Sequence, residues 1–295
     1  MKIALYGKNF QECFHDAIYK IFESLNKRKA EILVYEPFYN FITENLFFNP
    51  RFTKIFNSSE DLEDGVDVVF SIGGDGTFLE CAALIENRNI PIVGINSGRL
   101  GFLASVSKNE IDNAINSLFE KQYSIEKRAL IKAKINDENF FLGKNNFALN
   151  EITVSKKDNS SMINIEVFIN NYYLNTYWAD GLIISTPTGS TAYSLSSGGP
   201  IILPGSKNFV ITPIAPHTLT VRPIVVPDDI ELKIKVHGRG QQFLLALDFS
   251  SAFIDYETEI IVSKADFYIN MVRFNDTDFF ETLRKKLMWG LDIRN

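Results

Sequence analysis

A carboxylate set among glycines is the first place where this sequence offers chemistry. Gly73-Gly74-Asp75-Gly76-Thr77 follows the apolar run Val66-Asp67-Val68-Val69-Phe70-Ser71-Ile72. Glycines at the carboxyl end of a strand let the chain turn sharply and let a phosphate approach the backbone. A helix starting there aims its free N–H groups and the positive end of its dipole at the same spot. A carboxylate repels phosphate, so the useful roles for Asp75 are to accept a proton from an attacking hydroxyl or to hold Mg²⁺. Phosphoryl transfer needs both. The plainer reading is a glycine turn with Asp75 capping the helix. The run is not the Walker pattern and has no Lys beside it.

The second stretch with chemistry in it runs from Asp180-Gly181 through Ile183-Ile184-Ser185-Thr186-Pro187-Thr188-Gly189-Ser190 to Gly199-Pro200. A buried strand leads into a loop crowded with Gly, Ser and Thr. Thr191-Ala192-Tyr193-Ser194-Leu195-Ser196 predicts the start of a short helix. Hydroxyls and exposed N–H groups suit phosphate and ribose oxygens, and Tyr193 offers a face for a base. The alternative is an ordinary polar turn, although loops this long usually serve a function. Asn150-Glu151 ends the apolar run Phe147-Ala148-Leu149 and by itself reads as a solvated strand end. In Pro216-His217-Thr218-Leu219 a lone His with no second ligand nearby reads as structural. Arg284-Lys285-Lys286 reads as the solvated side of a final helix, where its position suits the helix dipole.

These residues need a frame, and the periodicity supplies one. Ile3 to Tyr6 is a short apolar run. From Gln11 to Lys27 the apolar residues Phe14, Ala17, Ile18, Ile21, Phe22 and Leu25 recur at helical spacing. Glu31 to Glu36 reads as a strand, and a helix from Pro37 through Phe47 follows it. Asn57 to Asp64 is a polar surface loop. The strand before Gly73, a helix from Thr77 to Ile85 carrying Phe78, Ala82 and Ile85, and the strand Ile90 to Ile95 make a βαβ unit, so these strands should be parallel. Ser107 and Glu110 form a capping box for a helix to Glu120.

After about Tyr123 the period changes to two. Ile131 to Ile135, Phe140 to Leu142 beyond the turn Asn136-Asp137-Glu138-Asn139, Ile163 to Val167, Tyr172 to Tyr177, Leu232 to Val236, Phe243 to Leu247, Glu259 to Val262 and Phe267 to Val272 predict an antiparallel β domain. Asp276 to Leu287 is helical again, with Phe279, Phe280, Leu283 and Leu287 on one face. The fold class is therefore an α/β N-terminal domain with a parallel sheet and a β-rich, mostly antiparallel C-terminal domain. Residues 1–125, joined by the helix at 276–295, form the nucleotide-binding domain, and 126–275 the β-rich domain.

Composition narrows the partners. The chain has 295 residues, 45% of them apolar and 22% charged, which is ordinary for a globular protein. A net charge of -6 argues against non-specific nucleic-acid binding. Cys13 and Cys81 both fall in apolar helical segments and read as buried free thiols of a reducing compartment. No stretch reaches the roughly 18 apolar residues of a membrane span. With no secretory signal at the start, a cytoplasmic protein is expected. The residues after Tyr6, Gly7-Lys8-Asn9-Phe10-Gln11, hold one glycine and rule out the dinucleotide fingerprint of dehydrogenases.

Taken together these motifs resemble the NAD kinase family of the bacterial type, from about Val69 to Trp289. The resemblance rests on Gly73 to Thr77, then Gly94-Ile95-Asn96, Gly98 and Leu100-Gly101-Phe102-Leu103. Asn150-Glu151, Asp180 to Pro200, Pro216 to Leu219, Arg222-Pro223-Ile224 and Leu283 to Trp289 complete it. It implies transfer of the γ-phosphoryl of ATP, or of polyphosphate, to the adenosine-ribose 2′-hydroxyl of NAD, assisted by Mg²⁺ or a similar divalent ion. By position Asp75 matches the general base and Gly76 its neighbour. Asn150, Glu151, Asp180 and the run Thr191, Ala192, Tyr193, Ser194, Leu195, Ser196 match positions that hold NAD, which lies between the domains, while Gly73, Gly74, Gly76 and Thr77 form the phosphate loop. No metal-ligating residue is assigned, and neither nucleic acid nor membrane is expected as a partner. A homodimer or homotetramer is implied, with the last helix packed on the first domain. The sequence departs from the family pattern at Ser161, Trp178 and the run Asp248-Phe249-Ser250. A lipid kinase with the same glycine motif, and a non-catalytic NAD- or NADP-binding regulator, are the alternatives.

Overall fold

Apolar runs broken by glycine and helical stretches become, among the described residues of the first third, five strands and four α-helices. The computed structural model describes residues 1–10, 12–62, 65–98, 100–136, 145–157, 161–274 and 278–288. The chain opens with β1 (Lys2–Gly7), α1 (His15–Lys27), β2 (Glu31–Tyr35), α2 (Glu36–Asn45) and β3 (Lys54–Phe56). It continues with β4 (Val68–Gly73), α3 (Asp75–Ile85), β5 (Ile92–Asn96) and α4 (Ile111–Phe119). The five strands are all parallel, in the order β5-β4-β1-β2-β3. Each residue of β4 and β5 is buried, as expected for strands covered on both faces.

Among the described residues the second stretch holds strands, the 3-10 turn Gly189–Thr191 and one short α-helix. It holds β6 (Tyr123–Ile135), β7 (Phe147–Ala148), β8 (Glu151–Lys156), β9 (Ile163–Ile169), β10 (Tyr172–Ala179) and β11 (Gly181–Ser185). The short helix α5 (Tyr193–Ser196) is followed by β12 (Asn208–Ile214), β13 (Ile224–Pro227), β14 (Leu232–His237), β15 (Gln242–Leu247), β16 (Ser250–Asp255) and β17 (Ile260–Phe274). Then comes α6 (Phe279–Leu287). Six strands pair antiparallel in the order β13-β12-β11-β8-β15-β16. A second antiparallel set runs β10-β9-β14, with β14 pairing the start of β17. Alternate residues point inward, so Ile163, Ile165 and Val167 of β9 and Leu232, Ile234 and Val236 of β14 join Val154, Leu182, Ile184 and Leu245 in one core.

The chain divides into two compact units, Met1–Lys127 with Ile269–Asn295, and Arg128–Tyr268. It leaves the first unit within β6 and re-enters it within β17, where Met271 pairs parallel with Ile92 of β5. Among the described residues no helix is long and apolar enough to cross a membrane.

The periodic segments behave as their spacing dictates. Phe14, Ala17, Ile18, Ile21, Phe22 and Leu25 are all buried, as are Phe78, Ala82 and Ile85. Ser107 and Glu110 form the capping box, with the Ser107 N–H donating to Glu110 Oε2 at 2.8 Å. Other expectations need correction. Cys13 is exposed, because it lies in a 3-10 turn (Glu12–Phe14) where Phe14 takes the inward position; Cys81 is buried. The two strands expected at 259–262 and 267–272 are one strand, β17. Its inward residues run Ile260, Val262 and then Ala265, so the alternation changes parity and breaks the pattern in two. β3, β8, β12, β13 and β16 were not legible as strands. Phe280 is 49% exposed rather than buried with Leu283. Glu63 and Asp64, the turn and strand expected over 137–142, the helix residues Gln11, Asp276 and Thr277, and Trp289 lie outside the described residues.

Phe70 lies on β4, the strand that delivers Asp75, and is 1% exposed. Phe70→Ala should cost about 3–5 kcal/mol. The check is a urea titration, with a lower midpoint and an unchanged slope as the expected result.

Candidate functional site

Two constellations gather the residues singled out above, one in each unit. In the first, β4 ends at Gly73, where a Cβ would run into the Thr77 side chain. Gly74 takes the helix-cap position with no side chain to cap it, and Asp75 is the first residue of α3. Asp75 does not cap its helix. Its carboxylate accepts N–H bonds from Phe102 at Oδ2 and from Leu103 and Ala104 at Oδ1, each at 3.0 Å. Lys286 Nζ of α6 lies 3.3 Å from Oδ2 and 4.5 Å from the centroid of the Phe102 ring.

The segment that binds Asp75 is folded by the other motif glycines. A Cβ on Gly94 of β5 would meet the backbone of Leu103 and Ala104, so only glycine lets that segment lie against the strand. Val106 N–H donates to Gly94 O at 3.0 Å, and Asn96 N–H to Val106 O at 2.7 Å. Asn96 Oδ1 accepts from Gly98 N–H at 2.6 Å. A Cβ on Gly101 would strike the Asp75 carboxylate. The Gly94 to Leu103 motif thus builds a backbone cradle for a carboxylate that precedes it in the chain.

In the second unit, Asn150 and Glu151 stand at the start of β8. They are not a solvated strand end. Asp248 holds the turn from below, accepting from the N–H groups of Leu149 at 2.7 Å, Asn150 at 2.9 Å and Glu151 at 3.0 Å. Thr186 clamps it from the other side. Its hydroxyl donates to Leu149 O at 2.6 Å, and its N–H to Asn150 O at 2.8 Å. Gly189 packs so closely that a Cβ would meet the Asn150 carbonyl.

The Glu151 carboxyl is buried, its Oε2 has no hydrogen-bond partner among the described residues, and the Tyr193 N–H reaches the group. Burial, and then the charge of Asp248, pushes Glu151 up to about 8. Burial likewise raises Asp248 to about 6, against the opposing pull of its three amide donors.

The hydroxyl-rich loop behaves differently from the expectation that its hydroxyls face a ligand. Ser185, Thr186, Ser190 and Ser194 are all fully buried. Ser190 Oγ donates to Pro187 O at 2.7 Å and accepts from Ile202 N–H at 2.9 Å, while Ser194 shares a hydrogen bond with Thr212 at 2.9 Å. These groups brace the loop. Thr191, Ala192 and Leu195 are half-buried, and Tyr193 and Ser196 are exposed.

Asp180 pairs with Lys156 at 2.7 Å. Trp178 stacks on His217 with centroids 4.3 Å apart, and His217 N–H donates to Trp178 O at 2.8 Å, which gives the lone His its structural role. Ser161 lines a cavity of about 180 Å³ with Lys156, Lys157, Arg239, Gln242 and Tyr256. Sequence reasoning missed the two partners that matter here, Lys286 and Asp248. Lys286 stood in a run that read as solvated, and Asp248 only as a departure from a motif.

The chain matches the ATP-NAD kinase N-terminal domain over residues 21–123 and the ATP-NAD kinase C-terminal domain over 149–274. It is 46% identical to the NAD kinase of Flavobacterium psychrophilum over 295 residues, covering all of both chains. It is 38% identical to that of Porphyromonas gingivalis over 293 residues, 99% of each. Among solved structures, a yeast NADH kinase complexed with NADH aligns with TM-score 0.86 at 21% identity, over 99% of this chain and 88% of that one, a likeness of fold. An NAD kinase from Archaeoglobus fulgidus in complex with ATP aligns with TM-score 0.75 at 25% identity, over 98% and 99%.

The buried carboxyl pair makes stability depend on pH. A carboxyl whose folded value is raised contributes stability fully present below its usual 4.5 and lost as pH rises through about 8. Urea midpoints of the protein should therefore fall across that window, and Glu151→Gln, which cannot ionise, should flatten the fall. An equally steep fall in the variant would show that the slope arises elsewhere.

Proposed function

From the premise that the chain belongs to the NAD kinase family, phosphotransferases with an alcohol group as acceptor, we propose that Asp75 is the base that activates the adenosine-ribose 2′-hydroxyl of NAD. ATP is the phosphoryl donor in this reading, with polyphosphate as a second candidate. The relative solved with ATP supports ATP as the donor. All the relatives and solved neighbours described above are NAD or NADH kinases, which leaves the lipid-kinase and regulator readings without support.

The observation that carries the proposal is the carboxylate of Asp75. It is held at the first residue of α3 by three backbone amides, so its position does not depend on a flexible side chain. In the transfer, the 2′-oxygen forms a bond to the γ-phosphorus and the bond from that phosphorus to the β,γ-bridging oxygen breaks. ADP leaves with the electron pair, and the hydroxyl proton passes to Asp75. Positioning and charge neutralisation supply most of the acceleration in such reactions. Asn150, Glu151, Asp180 and the run Thr191 to Ser196 hold NAD in this proposal. The braced loop supports it by presenting Tyr193 and Ser196 outward. Gly73, Gly74, Gly76 and Thr77 take the phosphates.

Among the described residues no group of three or more His, Cys, Asp or Glu side chains is placed to hold a metal ion. The divalent ion that the resemblance implies belongs to this proposal, with no residue assigned to hold it. A cytoplasmic homodimer or homotetramer belongs to the same proposal and rests on the family resemblance.

Asp75→Asn keeps the shape and removes the base. It should retain NAD binding by calorimetry and lose NADP formation by about 10² to 10⁴. Turnover near that of the wild type would overturn the assignment.

A further inference from the structure

A carboxylate offers about four lone-pair sites. On Asp75 all of them are engaged, three by the amides of Phe102, Leu103 and Ala104 and one by the ammonium of Lys286. If Asp75 is to take a proton from a hydroxyl, a partner must leave. The amides cannot, because Gly94 and Gly101 pack their segment against β5 and against the carboxylate itself. Lys286 can. It is the longest of the four contacts at 3.3 Å, its side chain is one-third exposed, and a flexible four-carbon stem carries its charge.

The neighbouring Lys285 is occupied within its own helix, paired with Glu281 at 2.7 Å, and only the next position along α6 turns toward Asp75. The ring of Phe102 under the ammonium gives the cation a second resting surface once the carboxylate is given up. The glycine motif has no Lys of its own, and the fold brings one from 211 residues away.

We propose that Lys286 is the phosphate-binding cation of the transfer site: its ammonium moves from Asp75 to the terminal phosphate of the donor. The exchange frees the base in the same motion that neutralises the group about to be transferred. This inference rests on the assignment of Asp75 as the base.

The test is steady-state kinetics on the full chain carrying Lys286→Gln or Lys286→Arg, varying ATP and NAD separately and recording the melting temperature of each variant. Lys286→Gln should raise the KM for ATP about 10- to 100-fold, the loss of one charged hydrogen bond. The KM for NAD and the melting temperature should stay near the wild type. Lys286→Arg keeps the charge and should recover most of the ATP affinity.

An unchanged or lowered KM for ATP in Lys286→Gln, or higher turnover on release of Asp75, would overturn the proposal. So would a shift in both KM values with a lower melting temperature, the mark of a merely structural contact. ATP binding measured by calorimetry in Asp75→Asn separates the two assignments. If that variant is inactive, binds ATP as well as the wild type, and loses the binding when Lys286→Gln is added, both stand. If turnover survives in Asp75→Asn, the base assignment itself fails. If Asp75→Asn is inactive and Lys286→Gln leaves ATP untouched, only the role of Lys286 fails.

Discussion

The backbone cradle of Asp75 is the constraint around which the first unit is arranged. A carboxylate at the start of a helix would ordinarily turn back onto its own first amides. Here it is drawn outward by the N–H groups of Phe102, Leu103 and Ala104, and three of the motif glycines in the unit leave room that a side chain would fill. Gly73 makes room for Thr77, Gly94 for the approach of the cradle, and Gly101 for the carboxylate. The parallel sheet supplies the platform, since β4 and β5 are adjacent and end side by side at Gly73 and Asn96. That placement at the carboxyl ends of parallel strands is where open α/β sheets commonly offer their binding crevice.

The second unit solves a different problem, holding two carboxyls out of water. Glu151 and Asp248 share one buried spot, and the backbone turn between Leu149 and Glu151 is pinned by Asp248 on one side and Thr186 on the other. Such a pair works against stability, and strained or costly groups of this kind are where functional sites are commonly found. Thr186, Ser190 and Ser194 of the following loop give their hydroxyls to neighbouring backbone or to another hydroxyl, so the loop is braced from within.

Much of this was legible in the sequence because local rules governed it. Continuous apolar runs identify β4 and β5, strict alternation identifies β9 and β14, and the glycine run marks the turn before α3. Legibility ends where partners are distant. The donors to Asp75 come 27 to 29 residues later and are backbone amides, which carry no residue signature. Asp248 reaches its turn from 97 to 99 residues away. Lys286 sits in a basic run at a helix end, where a solvated face is the natural expectation, and only the packing of α6 tells it apart from Lys285. The missed strands β13 and β16 are the two edges of their sheet, short and half-exposed, so their patterns are weak. β17 was split because its alternation changes parity inside the strand.

The first unit is assembled from two stretches of chain separated by the whole of the second. A chain emerging from the ribosome therefore presents β1 to β5, the glycine turn and the cradle of Asp75 early, while Met271 and Lys286 arrive only after residues 128–268 have been made. A polypeptide terminated prematurely anywhere in the second unit would possess Asp75 and lack Lys286. The ion pair between Asp75 and Lys286 can thus form only after the whole second unit and α6 have been made.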